Sequence, residues 1–318
     1  MEKHWRSLDG LRGVLALAVV FLHFGINSFG MRVFGLPELR LGLAVDVFFI
    51  LSGFVLTHSV RHGTTFRTFA LKRLLRLMPV YYVTTLAAFL VAPELPQDLW
   101  TEFFAITPFF VRDAANYPAW SICFELYLPL LAVLVPVRLS PGLVRPALLL
   151  TLLASGICQI FVMEGNVLYL PRAILGLAAG HLLYRSKIEC RVPFDAVAVG
   201  VILLILAAAF APPITIFLPF LTSAAILAGT RGGWLFATMP AQWLGSISYT
   251  LYLVHVPVYY AMVKLLGAAA GQNPPVKLAG IGVALVLATL LTRVVERPAM
   301  ALSSRLFPRP SGVRGEAA

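Results

Sequence analysis

Apolar residues fall along this chain in runs of roughly 17–25, the length a helix needs to cross a bilayer. The runs lie near 8–30, 39–60, 75–93, 118–137, 143–163, 167–185, 193–211, 213–230, 244–268 and 276–300. Only Ala211-Pro212-Pro213 divides the seventh from the eighth. Proline blocks helix continuation and restricts the residue before it, so that pair reads as a helical hairpin with a tight turn. The pattern predicts an all-α polytopic membrane protein of about ten transmembrane helices over residues 1–303. The Pro/Gly/Arg-rich stretch 304–318 is expected to be a disordered cytoplasmic tail. The longest connection, about Pro93 to Pro118, carries Trp100 and Phe103-Phe104 and reads as a surface cap or interfacial element.

Polar residues inside these runs change the picture. The first run, LDGLRGVLALAVVFLHF, sets Arg12 and His23 eleven residues apart. At about 100° per residue they share nearly one helix face, separated by about 16 Å along the axis. A charge near the bilayer centre costs about 3 kcal/mol even on gentle insertion scales, so such groups face other helices or a cavity. His23 is read as functional and cavity-facing, or else as a hydrogen bond to a neighbouring helix. Arg12 is read as functional or as a snorkelling anchor.

Charge then fixes an expected orientation. With the N-terminus inside, 19 of the 25 Lys and Arg residues fall on the inner side and six on the outer, as the positive-inside rule requires for an even number of spans. Both termini are therefore expected in the cytoplasm and the protein in the inner (plasma) membrane. Hydrophobic residues make up 59% of the chain and charged ones 12%, so the net charge of +11 is assigned to membrane topology and lipid contact rather than to nucleic acid. Lys3 and Arg6 before an apolar run resemble a secretory signal, but Arg12 and His23 interrupt it and an uncleaved first span is expected. Cys123, Cys158 and Cys190 are widely spaced and suggest neither a disulfide framework nor a metal site.

Further candidates follow in chain order. The second run opens with Asp46 and carries FFILSGF, in which Ser52-Gly53 permits close helix approach. Arg73 and Arg76, three apart, share a face at the entrance to the third run. Their forks suit phosphate or pyrophosphate, or else anionic lipid. Trp120-Ser121 opens the fourth run and Glu125 lies one turn further, where a carboxylate needs a partner. It orients a histidine, binds acceptor hydroxyls, or pairs structurally with Arg172. Ser248, Tyr252 and His255 follow i, i+4, i+7 spacing and make one face of the ninth run polar. Glu296-Arg297-Pro298 ends the last run as a structural anchor pair. A transporter or channel relaying protons through His, Glu and Asp is the alternative function. The chain lacks the paired broken helices of many transporters, and its inner arginine cluster favours an enzyme.

Taken together, Asp9-Gly10-Leu11-Arg12-Gly13 with His23, FFILSGF at 48–54, the basic run through Arg76 to Pro79, Trp120-Ser121 with Glu125, LGSISYTLYLVH at 244–255 and Glu296-Arg297-Pro298 resemble the acyltransferase 3 family. The resemblance implies a ten-helix enzyme that takes an acyl group, usually acetyl, from cytoplasmic acyl-CoA to a carbohydrate hydroxyl at the outer face. It implies that His23 is essential and that Arg12, Arg73 and Arg76 are important. Histidine suits the chemistry, since transfer from a thioester to an alcohol needs a base near neutrality. His23 is expected either to deprotonate the acceptor or to carry the acyl group transiently, and Arg12 and Glu125 are the other candidate catalytic residues. Arg12, Arg73 and Arg76 are expected to hold the CoA phosphates. Asp46, Ser52, Trp120, Tyr252 and His255 are the candidate substrate-binding residues. Acetyl-CoA is the expected donor, with no metal, and membrane lipid, a cell-envelope or exported carbohydrate and an extracytoplasmic partner protein are the expected partners.

Overall fold

A computed structural model describes residues 5–28, 33–60, 65–92, 99–106, 114–134, 139–163 and 169–308. Among them the regular structure is entirely helical. The main helices are α1 Arg6–His23, α2 Ala44–Ser59, α3 Phe66–Val91, α4 Trp120–Leu134, α5 Pro141–Met163, α6 Tyr169–Ser186, α7 Phe194–Ala207, α8 Leu218–Gly229, α9 Met239–Leu266, α10 Pro274–Leu291 and α11 Arg297–Leu306. Each of the ten expected segments overlaps one of α1–α10, with α3 and α9 beginning well before the expected start. Among the described residues, six stretches are long and apolar enough to cross a membrane by length and composition: Leu41–Ser59, Phe66–Val91, Tyr117–Leu134, Pro141–Phe161, Pro212–Gly229 and Pro274–Leu306. The protein is thus a multi-pass helical membrane protein, and this measure gives six spans rather than ten. The shortfall has a physical cause. Arg6, Asp9 and Arg12 lower the hydropathy of α1, Arg172, His181 and Arg185 that of α6, and the polar face of α9 does the same, while α7 is short.

Two close helix contacts set the frame. Gly13 of α1 meets Gly245 of α9 backbone to backbone, and a Cβ on either would overlap the other helix. Ten residues on, His23 meets His255, so α1 and α9 run parallel. Gln242 Nε2 donates to the Arg6 carbonyl at 2.6 Å, and Ser7 Oγ bonds both the carbonyl and the amide of Gly233, holding their first turns together. The second contact joins α2 to α6, where Gly53 and Gly180 leave no room for a side chain. In lipid the hydrophobic effect does not drive helices together, so close backbone approach at small residues supplies van der Waals contact instead.

A buried ion pair adds direction to that contact. Arg172 of α6 reaches both carboxylate oxygens of Asp46, with Nη2 to Oδ2 at 2.7 Å and Nε to Oδ1 at 3.0 Å, and stacks over Trp120 at 5.4 Å. Of the alternatives for Glu125, the pairing with Arg172 is therefore not formed, because Asp46 offers Arg172 a two-pronged partner. At the other end of the chain Glu296 is buried in a π-helical turn, Thr292–Glu296. It accepts from Thr250 Oγ1 at 2.6 Å rather than pairing with Arg297, which is exposed. Glu296 is an anchor as expected, but to α9.

The connection before α4 is pinned from below. Glu102, in the one-turn helix Leu99–Phe103, accepts from the Ala115 amide at 2.9 Å, and Tyr81 donates to its carbonyl at 2.7 Å. Trp100, Phe103 and Phe104 are exposed beside it, as an interfacial element requires. Helix α11 runs to Leu306, so the expected tail begins within a helix, and its residues 309–318 lie outside the described ones.

Candidate active site

A cavity of about 260 Å³ opens among α1, α2, α3, α4 and α9. Arg12, Lys72, Arg73 and Arg76 line it, against the single carboxylate of Glu125. The surplus of positive charge in a confined, partly apolar space favours an anion. Phe48, Leu51, Val55 and Leu56 form its apolar wall. Ser121 Oγ donates to the Tyr252 hydroxyl at 3.0 Å, and Tyr252 meets Phe48 edge-on at 6.3 Å, deep in the cavity.

Glu125 and Arg73 are tied together. Arg73, 7% exposed, donates Nε–H to the Glu125 carbonyl at 2.6 Å and sets Nη2 3.8 Å from its carboxylate. Ser52 Oγ donates to the other carboxylate oxygen at 3.1 Å. Tyr249 donates to the Leu77 carbonyl at 2.6 Å, joining α9 to α3 beside the same cavity. Arg12 lies 3.5 Å from Asp9 one turn back, which leaves most of its fork toward the cavity it lines.

Beyond Tyr252 two histidines meet. His23 Nδ1 lies 3.0 Å from His255 Nε2, with ring centroids 4.9 Å apart. His255 Nδ1 faces the Leu251 carbonyl at 3.1 Å, and His23 Nδ1 faces the Val19 carbonyl at 3.0 Å. Carbonyl oxygens only accept, so in the neutral pair both Nδ1 atoms carry the hydrogen. The single hydrogen on His23 Nδ1 is then shared between the Val19 carbonyl and His255 Nε2, and the lone pair on His23 Nε2 is left free. Tautomers are assigned here from the bonding network, as they must be. The arrangement gives one oriented base and one residue that orients it.

Around His23 the far end of the site is aromatic. Tyr117, 41% exposed, meets the His23 ring edge-on at 5.9 Å. Its hydroxyl lies 2.8 Å from that of Tyr169, which stacks on Trp120 at 4.3 Å. Tyr117 is held there by its neighbour Asn116, whose Nδ2 donates to the Leu253 carbonyl of α9 at 2.9 Å. That carbonyl is open because Pro257, four residues on, has no N–H to fill it.

The family model for an acyltransferase domain, acyltransferase 3, matches residues 5–293. The chain belongs to the acyltransferase 3 family. Among similar proteins is one named "Acyltransferase MdmB" from Streptomyces mycarofaciens, 28% identical over 368 residues that span 95% of this chain and 93% of that protein. Another, named "Protein 2 in picA locus" from Rhizobium radiobacter, is 44% identical over 79 residues, 23% of this chain and 38% of its own length. No solved structure matches. Family membership and the helical bundle make this a membrane acyltransferase, and the transporter alternative is set aside.

Within this acyltransferase the expected residues divide into three groups. Arg12, Arg73, Arg76, Glu125, Ser52 and Tyr252 converge on the cavity. His23 and His255 form their own pair one helical turn beyond Tyr252 and are not among the residues lining it. Asp46 and Trp120 are buried around Arg172, with both oxygens of Asp46 engaged, so neither is turned into the cavity. Sequence reading missed Asn116, Tyr117, Tyr169 and Tyr249 as site residues. The one available signal for Asn116 was Pro257, two residues after His255, which marks an open carbonyl. Among the described residues no cluster of three or more His, Cys, Asp or Glu is arranged to hold a metal ion.

Proposed function

We propose that this protein transfers an acyl group, acetyl in the simplest case, from acyl-CoA to a hydroxyl of a cell-envelope or exported carbohydrate. The observation that carries the reading is the sequence of environments along α1 and α9: a cationic cavity at Arg12, then Tyr252, then the His23–His255 pair about 16 Å from Arg12 along the helix. Phosphates of CoA bind Arg12, Arg73, Arg76 and Lys72, and the pantetheine arm runs up the cavity past Phe48 and Tyr252. His23 Nε2 takes the proton of the acceptor hydroxyl as its oxygen attacks the thioester carbonyl. The tetrahedral intermediate collapses to the ester and expels CoA thiolate, which the proton held on His23 neutralises. Tyr117 and Tyr169, beside His23 and partly open, offer the acceptor an aromatic face and hydroxyls.

In this reading α1–α10 all cross the inner membrane. The helices with polar side chains do so because neighbouring helices shield those groups, and both termini lie in the cytoplasm, a placement that the distribution of Lys and Arg supports. The test is labelled acetyl-CoA supplied to inverted membrane vesicles. Label recovered as a base-labile ester in a carbohydrate fraction supports the reading, and label confined to CoA or free acetate overturns it.

A further inference from the structure

Arg73 is held by an acceptor that an ordinary helix does not offer. Inside α4 the carbonyl of Glu125 belongs to the amide of residue 129, but residue 129 is proline and lies within the helix. The carbonyl is therefore unfilled by its own helix, and Arg73 Nε occupies it at 2.6 Å. Arg73 Nη2 has no hydrogen-bond partner among the described residues although it is buried. Its nearest carboxylate oxygen is 3.8 Å away, beyond hydrogen-bond reach. A buried guanidinium nitrogen without a hydrogen-bond acceptor is costly, and this one belongs to a residue that lines a cavity together with Arg12 and Arg76. One edge of the guanidinium is thus fixed on the protein, and the other has no acceptor among the described residues. The same device recurs at Pro257, where the freed Leu253 carbonyl holds Asn116. Its recurrence ties intrahelical proline to side-chain placement at both ends of the site.

We propose that Pro129 is a positioning residue for donor binding: by leaving the Glu125 carbonyl unfilled it docks Arg73 Nε and so aims Arg73 Nη2 at a phosphate oxygen of acyl-CoA. This rests on the donor-binding reading above. Proline at this point has no helix-forming merit of its own, since it removes a backbone bond and crowds the carbonyl four residues back. Replacing it with alanine returns the amide N–H to the Glu125 carbonyl and displaces Arg73, while repairing the helix. Affinity and stability are then expected to move apart, which a merely structural role does not produce.

The experiment measures binding of radiolabelled CoA to the purified full chain in detergent, together with its thermal unfolding midpoint. The variants are Pro129→Ala, Arg73→Lys, the double variant, and Pro146→Ala as a helix proline outside the cavity. Pro129→Ala is expected to weaken CoA binding about tenfold, the scale of one charge-assisted hydrogen bond, with the midpoint unchanged or raised. In the Arg73→Lys background it is expected to add no further loss, and Pro146→Ala is expected to leave CoA binding unchanged. If Arg73→Lys weakens binding and Pro129→Ala does not, the positioning role is wrong and the donor-binding reading stands. If neither variant changes CoA binding, the donor-binding reading fails and this inference with it. A loss of affinity that comes with a lowered midpoint, or that adds to the loss in Arg73→Lys, assigns Pro129 to general packing and overturns the proposal. Should Pro129→Ala fail to fold, Pro129→Ser returns the same N–H and takes its place.

Discussion

At the scale of single residues, the account turns on which nitrogen of which histidine is free. Two carbonyls, of Val19 and Leu251, fix hydrogens on both Nδ1 atoms, and His255 then serves His23 as an acceptor. The two histidines should therefore respond differently to substitution. His23→Ala should abolish transfer, since it removes the base. His255→Ala should lower the transfer rate about tenfold to a hundredfold, corresponding to loss of one buried hydrogen bond of about 1–3 kcal/mol, with CoA binding unchanged. Rates and CoA affinities measured on the same purified samples check both. Equal loss in the two variants would mean that His255 does more than orient its neighbour. Asp46 makes a second test at this scale. It is committed to Arg172, so Asp46→Ala leaves a buried guanidinium unpaired and should destabilise the protein by about 3–5 kcal/mol. The result would be a marked fall in the unfolding midpoint in detergent; an unchanged midpoint would return Asp46 to the list of substrate ligands.

At the scale of helices, packing between small residues holds the site together. Gly53 of α2 lies against Leu177 of α6, and any side chain there must push the helices apart. Gly53→Val is expected to lower thermal stability and the yield of folded protein, whereas Gly282→Ala, on an open face of α10, should do neither. The helices themselves were legible in the sequence because apolar run length is a strong signal. The partners of the charges were not. Glu125 and Asp46 are both carboxylates in apolar runs, and only the approach of α2 to α6 at Gly53 and Gly180 decides that Arg172 meets Asp46. Likewise His23 and His255 stood out separately as polar residues in spans. That they touch follows from α1 and α9 running parallel with Gly13 against Gly245, which no local pattern reveals. Conversely, the arginines of α3 and the face formed by Ser248 and Tyr252 were readable in advance, since spacing along one helix places side chains on one face.

At the scale of the whole molecule, the site has a basic cavity and an aromatic group, with the histidine pair in contact with Tyr252 on one side and Tyr117 on another. Helices α1 and α9, which fall short of the hydropathy expected of a span, carry the histidine pair, and α2, α3 and α4, which reach it, line the cavity with them. The proposed ten crossings make a topological prediction: reporter fusions after the N-terminus and after Leu306 should both report the cytoplasm, whereas opposite compartments would require an odd number of crossings. The central claim is that donor binding and acyl transfer use separate groups on this axis. The direct measurement is CoA binding and acetyl transfer on the same preparations of His23→Ala and Arg76→Ala. The account predicts that His23→Ala binds CoA like the parent protein and transfers nothing, and that Arg76→Ala loses CoA affinity. It is contradicted if His23→Ala still transfers acetyl groups, or if the cavity arginine can be removed without weakening CoA.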